Sequence, residues 1–270
     1  MNVELSVIIV NYNGVRYLEE CLHALYQKLS GIVYEIIVLD NNSADDSCTY
    51  IKSNFPEVTL IESKVNHGFG KGNNEAVKHA TGEYLLLINN DTIVLDHLLP
   101  VLEILKSDQA IGLVGINMFN GAREYLPAAG NFPNLQNMFQ LKKLLQINKE
   151  FDSGNFVKNS YEVDWMGGSF FMLSMKTYKS INGFDEDYFM YVEDVDFCKK
   201  IANLGLKRFF LPQYSYIHFV GFTKSKNPML IKGYEIYLSK HYKGFAKLLL
   251  KSALKINKWV KKIKTVLKLD

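Results

Sequence analysis

The chain has 270 residues, 48% of them apolar and 22% charged, enough to bury a sizeable core as one large domain or one domain with an appendage. Its three cysteines, Cys21, Cys48 and Cys198, are odd in number, far apart and outside metal-ligand spacing, which argues against a disulfide framework and fits a reducing compartment. The net charge of +3 conceals a split: ten lysines and one acid lie between Lys240 and Asp270, leaving −6 on the rest of the chain, and an acidic body is not the footprint of a nucleic-acid-binding domain.

Residues 5–10 are an apolar run rich in Val and Ile, without a basic leader, and read as a buried strand rather than a signal peptide. No stretch reaches the roughly 18 apolar residues of a membrane span. After the polar turn Asn11-Tyr12-Asn13-Gly14, the spacing of Leu18, Cys21, Leu22, Leu25 and Leu29 predicts a helix over 16–29. Residues 35–39 predict a second strand, ending at Asp40-Asn41-Asn42-Ser43. Ser43, with Asp45 and Asp46 behind it, opens a helix that runs to residue 54. Strands at 58–61, 84–88 and 111–114 alternate with helices at 71–80 and 95–106. This alternation predicts an α/β fold, with a Rossmann-like, mostly parallel central sheet flanked by helices.

Residues 119–163 mix Gly, Pro, Asn and aromatics without a long period, and predict a loop-rich stretch with one helix near 137–145. Order resumes at Asp164-Trp165-Met166-Gly167-Gly168 and a strand over 169–173. A short helix, a turn at 181–185 and an acid-rich helix opening at Glu193 follow. From Phe245, apolar residues recur at helical spacing with Lys between them, so residues 240–270 predict a basic amphipathic helical tail.

In such a sheet, ligands bind beyond the carboxyl ends of the strands. The polar clusters at 11–13, 40–43 and 89–92 fall there. Asp91 follows the strand at 84–88 directly, where a carboxylate can hold a hard divalent cation with Asn89 as an amide oxygen beside it. Taken alone, Asn89-Asn90-Asp91-Thr92 is also good turn chemistry. Glu193, Asp194 and Asp196 suit a helix start electrostatically, or one of them serves as a general base against a partly dry aromatic wall. The Gly-rich turn 66–74 offers close backbone approach and Lys71 to an anion, but it matches neither the dinucleotide fingerprint nor the Walker loop. His218, among apolar neighbours, fits a core histidine as well as a ligand.

Together these stretches resemble the family 2 glycosyltransferases of GT-A fold, in particular the rhamnosyltransferase-like branch of bacterial surface-polysaccharide enzymes. The resemblance spans residues 4–222 and rests on Ser6-Val7-Ile8-Ile9-Val10-Asn11-Tyr12-Asn13, Val38-Leu39-Asp40-Asn41-Asn42-Ser43, residues 66–74, residues 82–92, Trp165-Met166-Gly167-Gly168, Gly183-Phe184-Asp185-Glu186 and residues 189–198. It implies an inverting transfer from a UDP- or dTDP-sugar to a hydroxyl of a glycan or lipid-linked acceptor, with Mg²⁺ or Mn²⁺. Asp91 takes the place of the metal-binding acid of a DXD-type motif whose first position is here Asn89, and His218 stands where related enzymes place a histidine ligand. Asp194 matches the catalytic base, with Glu193 beside it.

The same resemblance implies that Val10, Tyr12 and Asp40 hold the nucleotide base, and that Asn42 and Asn90 also contact the nucleotide sugar. Gly70, Lys71 and Asn73 line the ribose and diphosphate, and Trp165, Gly167 and Gly168 form the floor beneath donor sugar and acceptor. Residues 1–239 then form the catalytic domain, with a nucleotide half to 115 and an acceptor half beyond. The tail over 245–268 reads as an in-plane anchor on an anionic membrane surface, placing the enzyme in the cytoplasm on the inner face of the plasma membrane. A helix packed on the body and an oligomer contact are its alternatives. Rival readings are a sugar nucleotidyltransferase, which would want a basic Gly-rich signature at residues 11–16, and a non-catalytic carbohydrate- or nucleotide-binding protein of the same fold.

Overall fold

The structure is a computed structural model and describes residues 2–219 and 227–266. Met1, the stretch 220–226 and the last four residues of the expected tail lie outside the described residues. The first part of the chain runs β1 (Leu5–Asn11), α1 (Val15–Lys28), β2 (Tyr34–Asp40), α2 (Ser47–Asn54), β3 (Thr59–Glu62), α3 (Phe69–Val77), β4 (Tyr84–Asn89), β5 (Thr92–Val94), α4 (Leu99–Ser107) and β6 (Ile111–Phe119). The loop-rich stretch holds only short pieces: β7 (Tyr125–Leu126), β8 (Ala129–Gly130), α5 (Leu135–Phe139), α6 (Lys149–Ser153), β9 (Tyr161–Glu162) and β10 (Trp165–Met166). Then come β11 (Phe170–Ser174), α7 (Met175–Ser180), α8 (Glu193–Asn203), β12 (Lys207–His218), α9 (Asn227–His241) and α10 (Gly244–Val266).

The central sheet has the order β3-β2-β1-β4-β11-β6-β12-β5. Among the described residues, six of these eight strands share one direction, and β11 and β5 run against them. Side chains alternate between its faces with a period of two. Ile8, Ile37, Leu85 and Leu87 enter one core with α3, α8, α9 and α10; Val7, Ile9, Val38, Leu86 and Ile88 enter the other with α1, α2 and α4. Both faces are covered, which is why the strands read as unbroken apolar runs.

Several boundaries differ from the pattern. The second helix starts at Ser47, not Ser43, because Ser43 and Asp45 are spent on the neighbouring loop: the Ser43 hydroxyl accepts from the Asn13 amide and Asp45 from the Val15 amide. The fourth helix starts at Leu99, not residue 95. Thr92–Val94 pairs with β12, and Asp96 accepts from the Ser215 amide and hydroxyl. The helix expected near 137–145 is broken at Gln140, where φ of −138° ends α5 and a separate 3-10 turn, Leu141–Leu144, begins. β12 contains Pro212, and its register against β6 jumps between Leu211 and Ser215, which takes the imino residue out of the ladder.

Candidate active site

The strand register brings the sequence-distant polar residues together. β1 lies between β2 and β4 with Asn11 opposite Asp40 and Val10 opposite Asn89. Asn11 Nδ2 donates to Asp40 Oδ1 at 2.8 Å, and the Ser43 amide donates to Asp40 Oδ2 at 2.9 Å. Asn90 Nδ2 in turn donates to Asn11 Oδ1 at 2.6 Å. Asp40 is buried but keeps lone pairs on both oxygens for a further donor. Val10 is half-buried against Gly72, and Tyr12 and Asn42 are exposed at this end, Asn42 with φ of 66°. Asn41, which sequence patterning marks only as part of a polar turn, ties β2 to the Gly-rich loop by accepting from the His67 amide and donating to the Gly68 carbonyl.

That loop is packed more tightly than a simple phosphate cradle. Gly68, at φ 77°, is the residue before α3, and its Cα lies against the Phe189 carbonyl. Gly70 faces Phe184, the Asn73 side chain is buried and donates to the Phe69 carbonyl, and Lys71 Nζ is 3.1 Å from Glu186 Oε2. Glu186 was not singled out by the sequence, and its place in the Gly183-Phe184-Asp185-Glu186 turn is the only signal for it.

Further along the carboxyl ends, the β5–β12 pairing sets His218 opposite Thr92. His218 Nε2 then lies 3.2 Å from Asp91 Oδ1 and 3.4 Å from Asn89 Nδ2. Asn89 Oδ1 is buried with no hydrogen-bond partner. Among the described residues no group of three His, Cys, Asp or Glu could hold a metal ion, so any cation here takes an acid, an imidazole and an amide oxygen from the protein. The unpaired oxygen belongs to the same Asn89 amide whose Nδ2 lies 3.4 Å from His218, and an amide oxygen from this side chain fits that donor set.

These three residues, Trp165, Gly167, Gly168, Glu193 and Asp194 all line one crevice of 330 Å³. Val10, Tyr12, Asp40, Asn42, Gly70, Lys71, Asn73 and Asn90 lie outside that lining. The Trp165 indole donates to the Asn131 carbonyl at 2.9 Å. Asp194 is half-buried, and its carboxylate accepts from the Val195 amide at 2.8 Å and the Gly168 amide at 3.4 Å. Burial pushes its carboxyl up to about 6, against those two bonds. Glu193 is buried, with Oε2 unpartnered, and burial together with the Asp194 charge holds its carboxyl well above the usual range. The opposite wall is apolar: Leu141, Leu144, Leu145, Leu230 and Tyr234. No pattern in the sequence marked these, since they come from the loop-rich stretch and from α9.

Residues 6–166 match the family described as Glycosyl transferase family 2, and residues 153–223 match one described as the N-terminal domain of galactosyltransferase. The rhamnosyltransferase WbbL of Escherichia coli is 29% identical over 225 residues, which cover 79% of this chain and 82% of that protein. Among solved structures, Staphylococcus aureus TarS residues 1–349 with UDP-GlcNAc superposes with a TM-score of 0.64 at 18% identity, covering 99% of this chain and 76% of the other. The mannosyltransferase PcManGT of Pyrobaculum calidifontis with GDP-Man and Mn²⁺ superposes at 0.63 and 16% identity, covering 98% and 76%. The two superpositions show the GT-A fold. The chain therefore belongs to glycosyl transferase family 2, in its rhamnosyltransferase-like branch, and is a glycosyltransferase.

Proposed function

We propose that the chain is an inverting enzyme of cell-surface polysaccharide synthesis, which moves a hexosyl or deoxyhexosyl group from a UDP- or dTDP-sugar to a hydroxyl of a glycan or lipid-linked saccharide. The observation that carries this reading is the placement of Asp194: a half-buried carboxylate with raised basicity, in the same crevice as Asp91 and His218. Asp194 takes the proton of the acceptor hydroxyl while the Val195 and Gly168 amides hold its carboxylate in place. The freed oxygen attacks the anomeric carbon from the face opposite the nucleotide, and the diphosphate leaves with the electron pair of the broken bond. One displacement inverts the configuration.

Asp91, His218 and Asn89 are the residues that would hold Mg²⁺ or Mn²⁺, which when bound would neutralise charge on the leaving diphosphate. Asp40, held by Asn11 and Ser43, accepts from the nucleotide base, with Val10, Tyr12 and Asn42 around it. Gly70, Asn73 and Asn90 serve the ribose and diphosphate side, and Lys71 reaches the diphosphate by releasing Glu186. Trp165, Gly167 and Gly168 support the sugar. The apolar wall suits an acceptor that is not sugar throughout.

For the tail we propose peripheral attachment to an anionic membrane, on the cytoplasmic side. A thermal-shift screen of nucleotide sugars, with and without Mn²⁺ or Mg²⁺, identifies the donor. With it, Asp194→Asn is expected to lower turnover by about 10²- to 10⁴-fold while nucleotide binding, measured by calorimetry with UDP and dTDP, is retained. Near-normal turnover by that variant would remove Asp194 as the base.

A further inference from the structure

The first turn of α8 is gripped from outside by α9. Tyr191 and Val192, directly before it, stand at φ 70° and 75°, left-handed backbone that a β-branched residue adopts only when its surroundings impose it. Gly233 of α9 lies flat on this strained pair: a methyl at its Cα would come within 2.6 Å of the Tyr191 carbonyl oxygen and 2.7 Å of Val192 Cγ2. At the far end of α9, His241 Nε2 lies 2.7 Å from Asp196 Oδ1. Asp196 is 1% exposed. The Tyr188 hydroxyl donates to the same oxygen at 3.3 Å, and Asp196 Oδ2 has no partner. Lys240 adds ion pairs of 2.5 and 2.6 Å to Asp185 and Asp187.

We propose that His241 is a positioning residue for the base: by bonding Asp196 it fixes the first turn of α8, and with it the Asp194 carboxylate, against Gly168. The proposal rests on the reading of Asp194 as the base. Asp196 follows Asp194 by two residues on the same helix turn, so a shift of its anchor moves the carboxylate relative to the acceptor oxygen. A displacement near 1 Å is costly in rate without loss of substrate binding. A buried carboxylate needs a partner in any case. What makes this one more than a satisfied core pair is its location, beside the left-handed pair Tyr191 and Val192 that α9 packs against at Gly233.

Two variants of the full chain separate bond from bulk. His241→Phe keeps a ring against Tyr237, whose centroid is 4.5 Å from that of His241, and removes the hydrogen bond. His241→Gln keeps a side-chain N–H donor for Asp196. For His241→Phe, kcat is expected to fall about 10- to 100-fold with the donor KM unchanged, and amide hydrogen exchange is expected to quicken over residues 189–198 but not in β1 or β4. His241→Gln is expected to restore both. Wild-type kcat in the Phe variant overturns the proposal, as does a kcat loss with unaltered exchange over 189–198. If the Phe variant does not fold, the Gln variant decides, and a kcat loss in folded His241→Gln overturns it. Should Asp194→Asn retain turnover, the base reading falls while the exchange difference at 189–198 persists, so the two failures are distinguishable.

Discussion

Glu193 and Asp194 are sequence neighbours whose carboxyls meet different surroundings. Glu193 is buried and one of its oxygens meets no donor, so it holds its proton well above the usual range. Asp194 lines the crevice, and burial raises its carboxyl from the ordinary 3.8 to about 6 although two backbone N–H bonds hold the charged form. Two adjacent acids in such different surroundings favour the proposed division, with Asp194 rather than Glu193 as the base. In the proposed mechanism the working form is the ionised one, so kcat is expected to rise with pH through about 6 and level off above it. A pH–rate profile already flat in the ordinary aspartate range, near 4, would count against this. At the other end of the crevice, chelation with EDTA is expected to abolish transfer and added Mn²⁺ or Mg²⁺ to restore it. Asp91→Ala is expected to erase the metal-dependent part of UDP affinity in calorimetry. Turnover indifferent to the chelator, with UDP affinity indifferent to the cation, would dismiss the Asp91–His218–Asn89 site.

At the scale of elements, the local signals and the structure part company wherever a tertiary partner overrides them. The apolar runs at 5–10, 35–39 and 84–88 were legible because burial on both faces leaves no polar alternation to misread. With them came the convergence of Asp40 and Asp91 at one sheet edge. β12 was not legible: Pro212 interrupts its pattern, and only the register jump beside β6 shows how a strand accommodates it. Yet β12 is the element that delivers His218 to Asp91, so that pairing rested on resemblance rather than on period. The apolar wall was hidden for a related reason, since Leu141 and Leu144 sit in a 3-10 turn too short for any helical repeat. The Gly-rich loop carries a prediction at this scale. Gly68 combines φ of 77° with backbone contact to Phe189, the residue that leads into the strained turn before α8. Gly68→Ala is expected to destabilise the fold by about 1–3 kcal/mol, seen as a lowered unfolding midpoint, and to lower turnover further by disturbing residues 189–192. An unfolding midpoint equal to wild type would show the loop free to relax.

Over the whole molecule, the tail helix has one docked face and one exposed apolar face. α10 docks on the body through Leu250, Ala253, Leu254 and Asn257, all buried, with Asn257 Nδ2 donating to the Phe139 carbonyl at 2.5 Å. At 3.6 residues per turn, the opposite face carries Phe245, Leu248, Ile256 and Trp259, of which Phe245 is 73% and Trp259 64% exposed. Lys247, Lys251, Lys255, Lys258 and Lys262 form a flank between the two. Among the described residues no helix is long and apolar enough to cross a membrane; the proposed anchor is a helix lying in the surface plane with its docked side toward the enzyme. Because removing the tail would also strip the apolar contacts of Leu250 and Leu254, truncation confounds anchoring with stability. Leu248→Glu with Trp259→Glu spares the docked face. The parent chain is expected to co-sediment with vesicles containing phosphatidylglycerol, less so as salt rises, since each Lys contributes about 1 kcal/mol only near an anionic surface. The double variant is expected to lose about tenfold or more of that affinity, as two large apolar side chains no longer enter the interface, with its unfolding midpoint unchanged. Equal co-sedimentation of variant and parent would refute the anchor. The exposed stripe would then belong to a second copy of the chain, and sedimentation velocity would register the dimer that the two glutamates break.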